Sequence, residues 1–292
     1  MSVYEHRYRP YVGALTPAWS RFLIIPRHAL HDVFKSKILA AFFAFSFVPP
    51  LVFAILIYLH HNLNAISLLE IDLAELVPIG AEFFNLFLAI QGAAAFFLTL
   101  LVAPSLVSRD LANNALPLYL ARPLSRFEYT AGKMSVVIVL MSFLTWIPAM
   151  LLFALQSYLE GFAWAAANMR IAFALLVGSL IWILFLALMS QTLSAWLKWR
   201  VAASGGMVAL LLIPSVIAGV LHDILGSDDS SSWANVISPL ATINTIWANL
   251  FALPTTNNFW MMPAWGAWLA LAVMYLLLAG LLSRKVRAYE VA

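Results

Sequence analysis

Few side chains in this sequence could do chemistry. His60 and His61 fall close to Glu70, Asp72 and Glu75, a set of types that can ligate a metal. Adjacent histidines point to different faces of a helix, so the pair reads better as polar groups at the end of an apolar segment. Gln91, Ser190, Gln191 and Thr192 interrupt long apolar runs. Such groups either hydrogen-bond between helices or line a pathway. No HExxH zinc helix, GxSxG nucleophile turn or GxxxxGK[ST] phosphate loop occurs, since Gly132-Lys133 is followed by Met134. The sequence therefore points away from an enzyme, and any ATP this chain uses is bound by another. With no cysteine, disulfides and thiolate metal sites are excluded.

The elements that must position these residues are apolar spans. Of 292 residues, 64% are hydrophobic and only 10% charged, which leaves no stretch polar enough for a separate soluble domain. Six runs, Ile38 to Leu59, Phe83 to Val107, Met134 to Tyr158, Ile171 to Leu197, Val201 to Leu221 and Ala264 to Leu282, reach the length needed to cross a hydrocarbon core of roughly 30 Å. The fold class expected is all-α, a polytopic membrane protein with six transmembrane helices in one domain spanning residues 1–292.

Lysine and arginine set the orientation, because cytoplasmic flanks are enriched in them. Arg7, Arg9, Arg21, Arg27, Lys35 and Lys37 precede the first run. Arg109, Arg122, Arg126 and Lys133 follow the second, Lys198 and Arg200 the fourth, and Arg284, Lys285 and Arg287 the sixth. The three opposite connections hold only Arg170, against Glu70, Asp72, Glu75, Glu82, Glu160, Asp223, Asp228 and Asp229. Both termini are thus expected in the cytoplasm. The net charge of +3 reflects those flanks and gives no reason to expect nucleic acid.

Val236 to Leu253 is uncharged but carries Pro239, Asn244 and Asn249, with Ser238, Thr242 and Thr245 between them. A seventh span there would also move the basic tail outside. The segment, inside an outer loop of residues 222–262 with partly buried helices, is expected to dip into the outer leaflet and return where protein shields it, or else to lie on the surface as an amphipathic helix. Upstream, residues 16–37 are expected to form a cytoplasmic interfacial helix, with Leu30, Val33 and Phe34 at helical spacing after Pro26.

The most specific local sequence is the connection from Ser108 to Lys133, SRDLANNALPLYLARPLSRFEYTAGK. Leu118, Leu120, Arg122, Pro123, Leu124, Ser125, Arg126, Glu128, Tyr129, Gly132 and Lys133 resemble the ABC-2 type permeases, the membrane subunits of one class of ATP-binding-cassette exporters. The layout of six spans, cytoplasmic termini, an amino-terminal interfacial helix and an outer segment before the last span is similar too. The chain departs at Arg109, Asp110, Asn114, Ala115 and Leu116, where family members carry an acidic-basic pair and then Gly-Thr-Leu. Pro117 starts or splits the helix expected there.

The resemblance implies a coupling loop over residues 108–133, in which Leu116, Leu118, Tyr119 and Leu120 give apolar contact to an ATPase. Arg109, Asp110, Arg122, Arg126 and Glu128 would orient it. The implied partners are two cytoplasmic ABC ATPase subunits carrying ATP and Mg, a second permease copy (the same chain or a related one), and membrane lipids. The implied location is a plasma membrane of the bacterial inner-membrane kind. Export of an amphiphilic or lipid-linked substrate follows, along a pathway formed by the first, second and fifth spans, with Phe83, Phe87, Gln91 and Thr99 in the second. The rival expectation is an ATPase-coupled scaffold or signal transmitter that moves no substrate.

Overall fold

A computed structural model of the chain describes residues 24–62, 78–104, 126–197, 199–225, 231–254 and 262–285. Every regular element among them is helical: α1 (Ile24–Lys35), α2 (Lys37–Phe45), α3 (Val48–His61), α4 (Ala81–Val102), α5 (Arg126–Leu144), α6 (Trp146–Glu160), α7 (Phe162–Ala167), α8 (Met169–Trp196), α9 (Arg200–Leu225), a 3₁₀ helix (Ser231–Ile237), α10 (Pro239–Phe251) and α11 (Ala264–Lys285). Six helical stretches are long and apolar enough to cross a membrane: α2 with α3, α4, α5 with α6, α8, α9 and α11. Residues 16–23 of the expected interfacial helix lie outside the described residues. α1 covers residues 24–35 of it, Ser36 breaks the helix, and Lys37 already begins α2.

Two of the six stretches are broken, and proline chemistry says where. Pro49 and Pro50 have no N–H for the carbonyls of Phe45 and Ser46, and the helix turns at Ser46–Phe47 between α2 and α3. Pro148 likewise leaves the Leu144 carbonyl without its helical partner, and Thr145 separates α5 from α6. The uninterrupted first and third runs read from the sequence are therefore each two helices. The third stretch also starts earlier: α5 begins at Arg126, so Gly132 and Lys133 sit in a helix continuous with it.

α8 is the post around which the others stand. It packs against α4, α5, α6, α9, α10 and α11 and is the most buried of the six stretches. A helix apolar on every side belongs in such a position. Its small residues Ala172, Ala174, Gly178, Ser179, Ala187, Ser190, Ser194 and Ala195 are all buried, allowing close approach. The first and fifth stretches are the least covered by the chain itself.

α10 spans 13 residues, about 20 Å at 1.5 Å per residue, too short to cross a bilayer. Nor is it an exposed amphipathic helix, because Ala241, Thr242, Ile243, Thr245, Ile246, Trp247 and Ala248 are all buried. It is held among α4, α8, α9 and α11. Ser238 starts it by accepting a hydrogen bond from the Ala241 N–H at 3.1 Å, with Pro239 in the first turn. Leu253 N–H bonds to the Ala248 carbonyl and Ala252 N–H to that of Asn249, which closes its end.

Candidate functional site

The expected site residues fall into two groups. Arg109, Asp110, Leu116, Leu118, Tyr119, Leu120 and Arg122 lie outside the described residues. Arg126 opens α5, and Glu128 is half-buried in its first turn. Tyr129 and Lys133, one turn apart, are buried, with the Lys133 Nζ 5.8 Å from the Tyr129 ring centroid. α1 packs directly on α5. The helix that follows the Arg-Pro-Leu-Ser-Arg sequence is therefore clamped to α1 on one side and to the central α8 on the other.

The second group forms one stripe of α4. Phe83, Phe87, Gln91 and Thr99 share a face at four-residue intervals with Ala95, and all are buried within the single chain. Phe53 of α3 packs against Phe83 and Phe87 at centroid distances of 4.8 and 5.2 Å. Gln91 donates from Nε2 to the Ser46 carbonyl at 2.8 Å, one of the carbonyls that the proline pair leaves without a helical partner. Its Oε1 is buried without a hydrogen-bond partner. Thr99 bonds back to the Ala95 carbonyl at 2.7 Å and approaches the Met141 sulfur of α5 at 3.4 Å. In this conformation the stripe joins the second stretch to the first and third.

Of the polar residues in α8, Thr192 donates to the Leu188 carbonyl and lies 3.1 Å from that of Leu278 in α11, while Ser190 returns to its own helix. Gln191 Nε2 and Ser194 Oγ are buried without a partner. His61 bridges α3 and α6, its Nε2 2.7 Å from Glu160 Oε2 and its Nδ1 3.0 Å from the Ile57 carbonyl. Glu70, Asp72 and Glu75 lie outside the described residues, and among the described residues no three His, Asp or Glu side chains converge on a metal position.

Three features of the structure escaped sequence reasoning. Trp247 of α10 donates to the Gly178 carbonyl at 3.1 Å, and Trp182 of α8 donates to the Gly92 carbonyl at 2.8 Å. The rings meet edge-on, with centroids 6.2 Å apart. A Cβ on Gly92 would stand 3.0 Å from the Trp247 ring, and one on Gly178 3.1 Å from it, so both positions need glycine for the close approach. Second, Arg170, the lone base of its end of the bundle, donates to the Asn249 and Leu250 carbonyls at 2.7 and 2.9 Å, capping α10. Third, at the basic end, Arg200 donates to the Leu101 carbonyl at 2.7 Å and Ser204 to that of Leu100 at 3.0 Å, capping α4.

Six bilayer-length apolar helices with their polar groups turned inward give the chain the build of a polytopic membrane protein. No family model matches it, and no curated protein sequence matches it.

Proposed function

We propose that this chain is the membrane-embedded permease subunit of an ABC-2 type exporter, with both termini in the cytoplasm of a bacterial inner membrane. Two copies, identical or related, pair in it and two separate ATPase subunits bind below, carrying ATP and Mg. The observation that carries the reading is the Leu118–Lys133 sequence, whose last residues are already the first two turns of α5. A motif whose last residues, Arg126 to Lys133, belong to a helix packed on α1 and α8 can pass a displacement of that helix into the bundle. Arg170 supports the sidedness, since the single base on the outer side is taken up by a structural cap.

The pathway then lies along the sparsely covered first and fifth stretches. Leu51, Val52 and Ile55 are exposed on the first, and Leu212, Ile213, Val216 and Val220 on the fifth. A lining this apolar suits an amphiphilic or lipid-linked substrate, because it offers no ligands to replace the water of an ion. Phe83, Phe87, Gln91 and Thr99 join that pathway only when α2 and α3 swing away from α4.

The test is co-expression with candidate ABC ATPase subunits from the same genome, purification through a tag on this chain alone, and measurement of subunit ratio, ATP hydrolysis and its stimulation by substrate. A stable two-plus-two complex is expected. Leu118→Asp, Arg126→Glu and Glu128→Arg should each weaken ATPase association while leaving membrane insertion intact. Full association in all three variants rejects the coupling assignment, and hydrolysis that no lipid-linked substrate stimulates favours a transmitter that moves nothing.

A further inference from the structure

The basic end carries a surface that the permease reading leaves unused. α1 buries Pro26 and Val33 and leaves Arg27, His28, His31 and Lys35 exposed, and Lys37 is exposed at the start of α2. Among these bases stand two large apolar side chains that the chain leaves largely open, Phe34 at 46% exposure with one side against the Phe43 ring, and Ile38 at 77%. Beyond Ile38 the exposed face of α2 turns wholly apolar through Ala41, Ala44 and Phe45. A helix wholly in water would not present Phe34 next to a membrane-length stretch that begins with the exposed Ile38, and one sunk in hydrocarbon would not present Arg27 and Lys35. The mixture fits the boundary between headgroups and acyl chains.

Charge selects the lipid. Residues 1–37 hold six Lys or Arg against Glu5 and Asp32, so 6 − 2 gives +4, just ahead of a membrane-length apolar stretch. Clusters of this size beside a span attract anionic headgroups. An acidic protein partner fits less well, because it would have to reach the Ile38–Phe45 face at hydrocarbon depth.

We infer that the exposed face of α1, together with Lys37, is a docking surface for anionic phospholipid. The lipid phosphates sit against Arg27, Lys35 and Lys37, while Phe34 and Ile38 lie among the first acyl carbons. Because α1 packs on α5, the lipid also braces the helix that follows the loop motif. The site depends on neither transport nor an ATPase.

The experiment uses the full chain in nanodiscs of equal phosphatidylglycerol and phosphatidylcholine, followed by release and native mass spectrometry of the retained lipids. Each base near an anionic surface contributes about fivefold to binding. The wild type should retain phosphatidylglycerol preferentially, and Arg27→Gln/Lys35→Gln/Lys37→Gln should lower that preference by at least about tenfold after screening. High salt should weaken the preference of the wild type itself, a readout that needs no variant to fold. Arg284→Gln/Lys285→Gln, which removes two bases at the end of α11, one of them already over the Trp196 ring, should lower the preference clearly less than the triple variant. No preference in the wild type, no loss in the triple variant, or an equal loss in the α11 variant each overturns the assignment.

Discussion

The Arg170 cap makes a quantitative prediction because α10 ends under strain. Ala252 follows the helix with φ 56° and ψ 35°, a left-handed conformation that glycine normally occupies. The guanidinium holds the two carbonyls just before that residue. A hydrogen bond to a charged group contributes about 1.5–3 kcal/mol where shielded. Exposure at Arg170 reduces two such bonds plus the dipole contribution to about 1–2 kcal/mol in all. Arg170→Met keeps the apolar stem and removes the charge. It should lower the local opening free energy of α10 by that amount, speeding hydrogen exchange at the Ala252 and Leu253 amides by roughly 5- to 30-fold. Arg170→Lys should fall between, since a point charge keeps the dipole contribution but not the forked geometry. Ala252→Gly should slow exchange at the same amides by about two- to fivefold and restore part of the loss in Arg170→Met, because the strain resides at that residue. Exchange in Arg170→Met within twofold of wild type would refute the cap.

The tryptophan lock predicts a contrast among glycines. Gly92→Ala and Gly178→Ala should each cost about 1–3 kcal/mol in reversible unfolding in detergent, since the ring that must give way is fixed by its own hydrogen bond. Gly280→Ala meets nothing within 4 Å and should be neutral or stabilise by up to about 1 kcal/mol. Gln91→Leu orphans the Ser46 carbonyl and should destabilise by about 0.5–2 kcal/mol. Cysteines introduced one at a time in that variant should change accessibility in α2 and α3 and keep it in α8. A double-mutant cycle on His61 and Glu160 should give a coupling of only about 0.2–1 kcal/mol, because the Glu160 side chain is 43% exposed.

The six long apolar stretches were legible because hydrocarbon thickness leaves little choice once charges are absent. Their breaks were legible in principle. Pro49, Pro50 and Pro148 stand inside the runs, and a missing N–H frees the carbonyl four residues back, close to where the helices part at Ser46–Phe47 and Thr145. Ser238-Pro239 marked the start of α10 in the same way. That protein shields this helix was legible, but which residues do so was not. The Trp247 contact spans 69 residues and the Trp182 contact 90, and no local pattern encodes which glycine a tryptophan meets. Gln91 could be read as a polar group needing a partner. Its partner is a backbone atom exposed only by a turn in another helix, so the sequence could not name it.

These cases share a physical logic. A chain with 10% charged residues has few strong donors, and helices in an apolar medium leave carbonyls unpaired wherever they end or meet proline. Arg170 goes to the end of α10, Arg200 and Ser204 to the end of α4, and Gln91 to the break ahead of α3. Each donor meets a carbonyl at a helix end or opposite a proline, on an element distant in sequence, so one bond both serves that group and joins two helices. Polar residues in such runs are therefore better read against the helix ends and prolines of the whole chain than against one another. By that reading Arg170 is no exception to the difference in charge between the two ends of the bundle, because it serves the carbonyls at the end of α10.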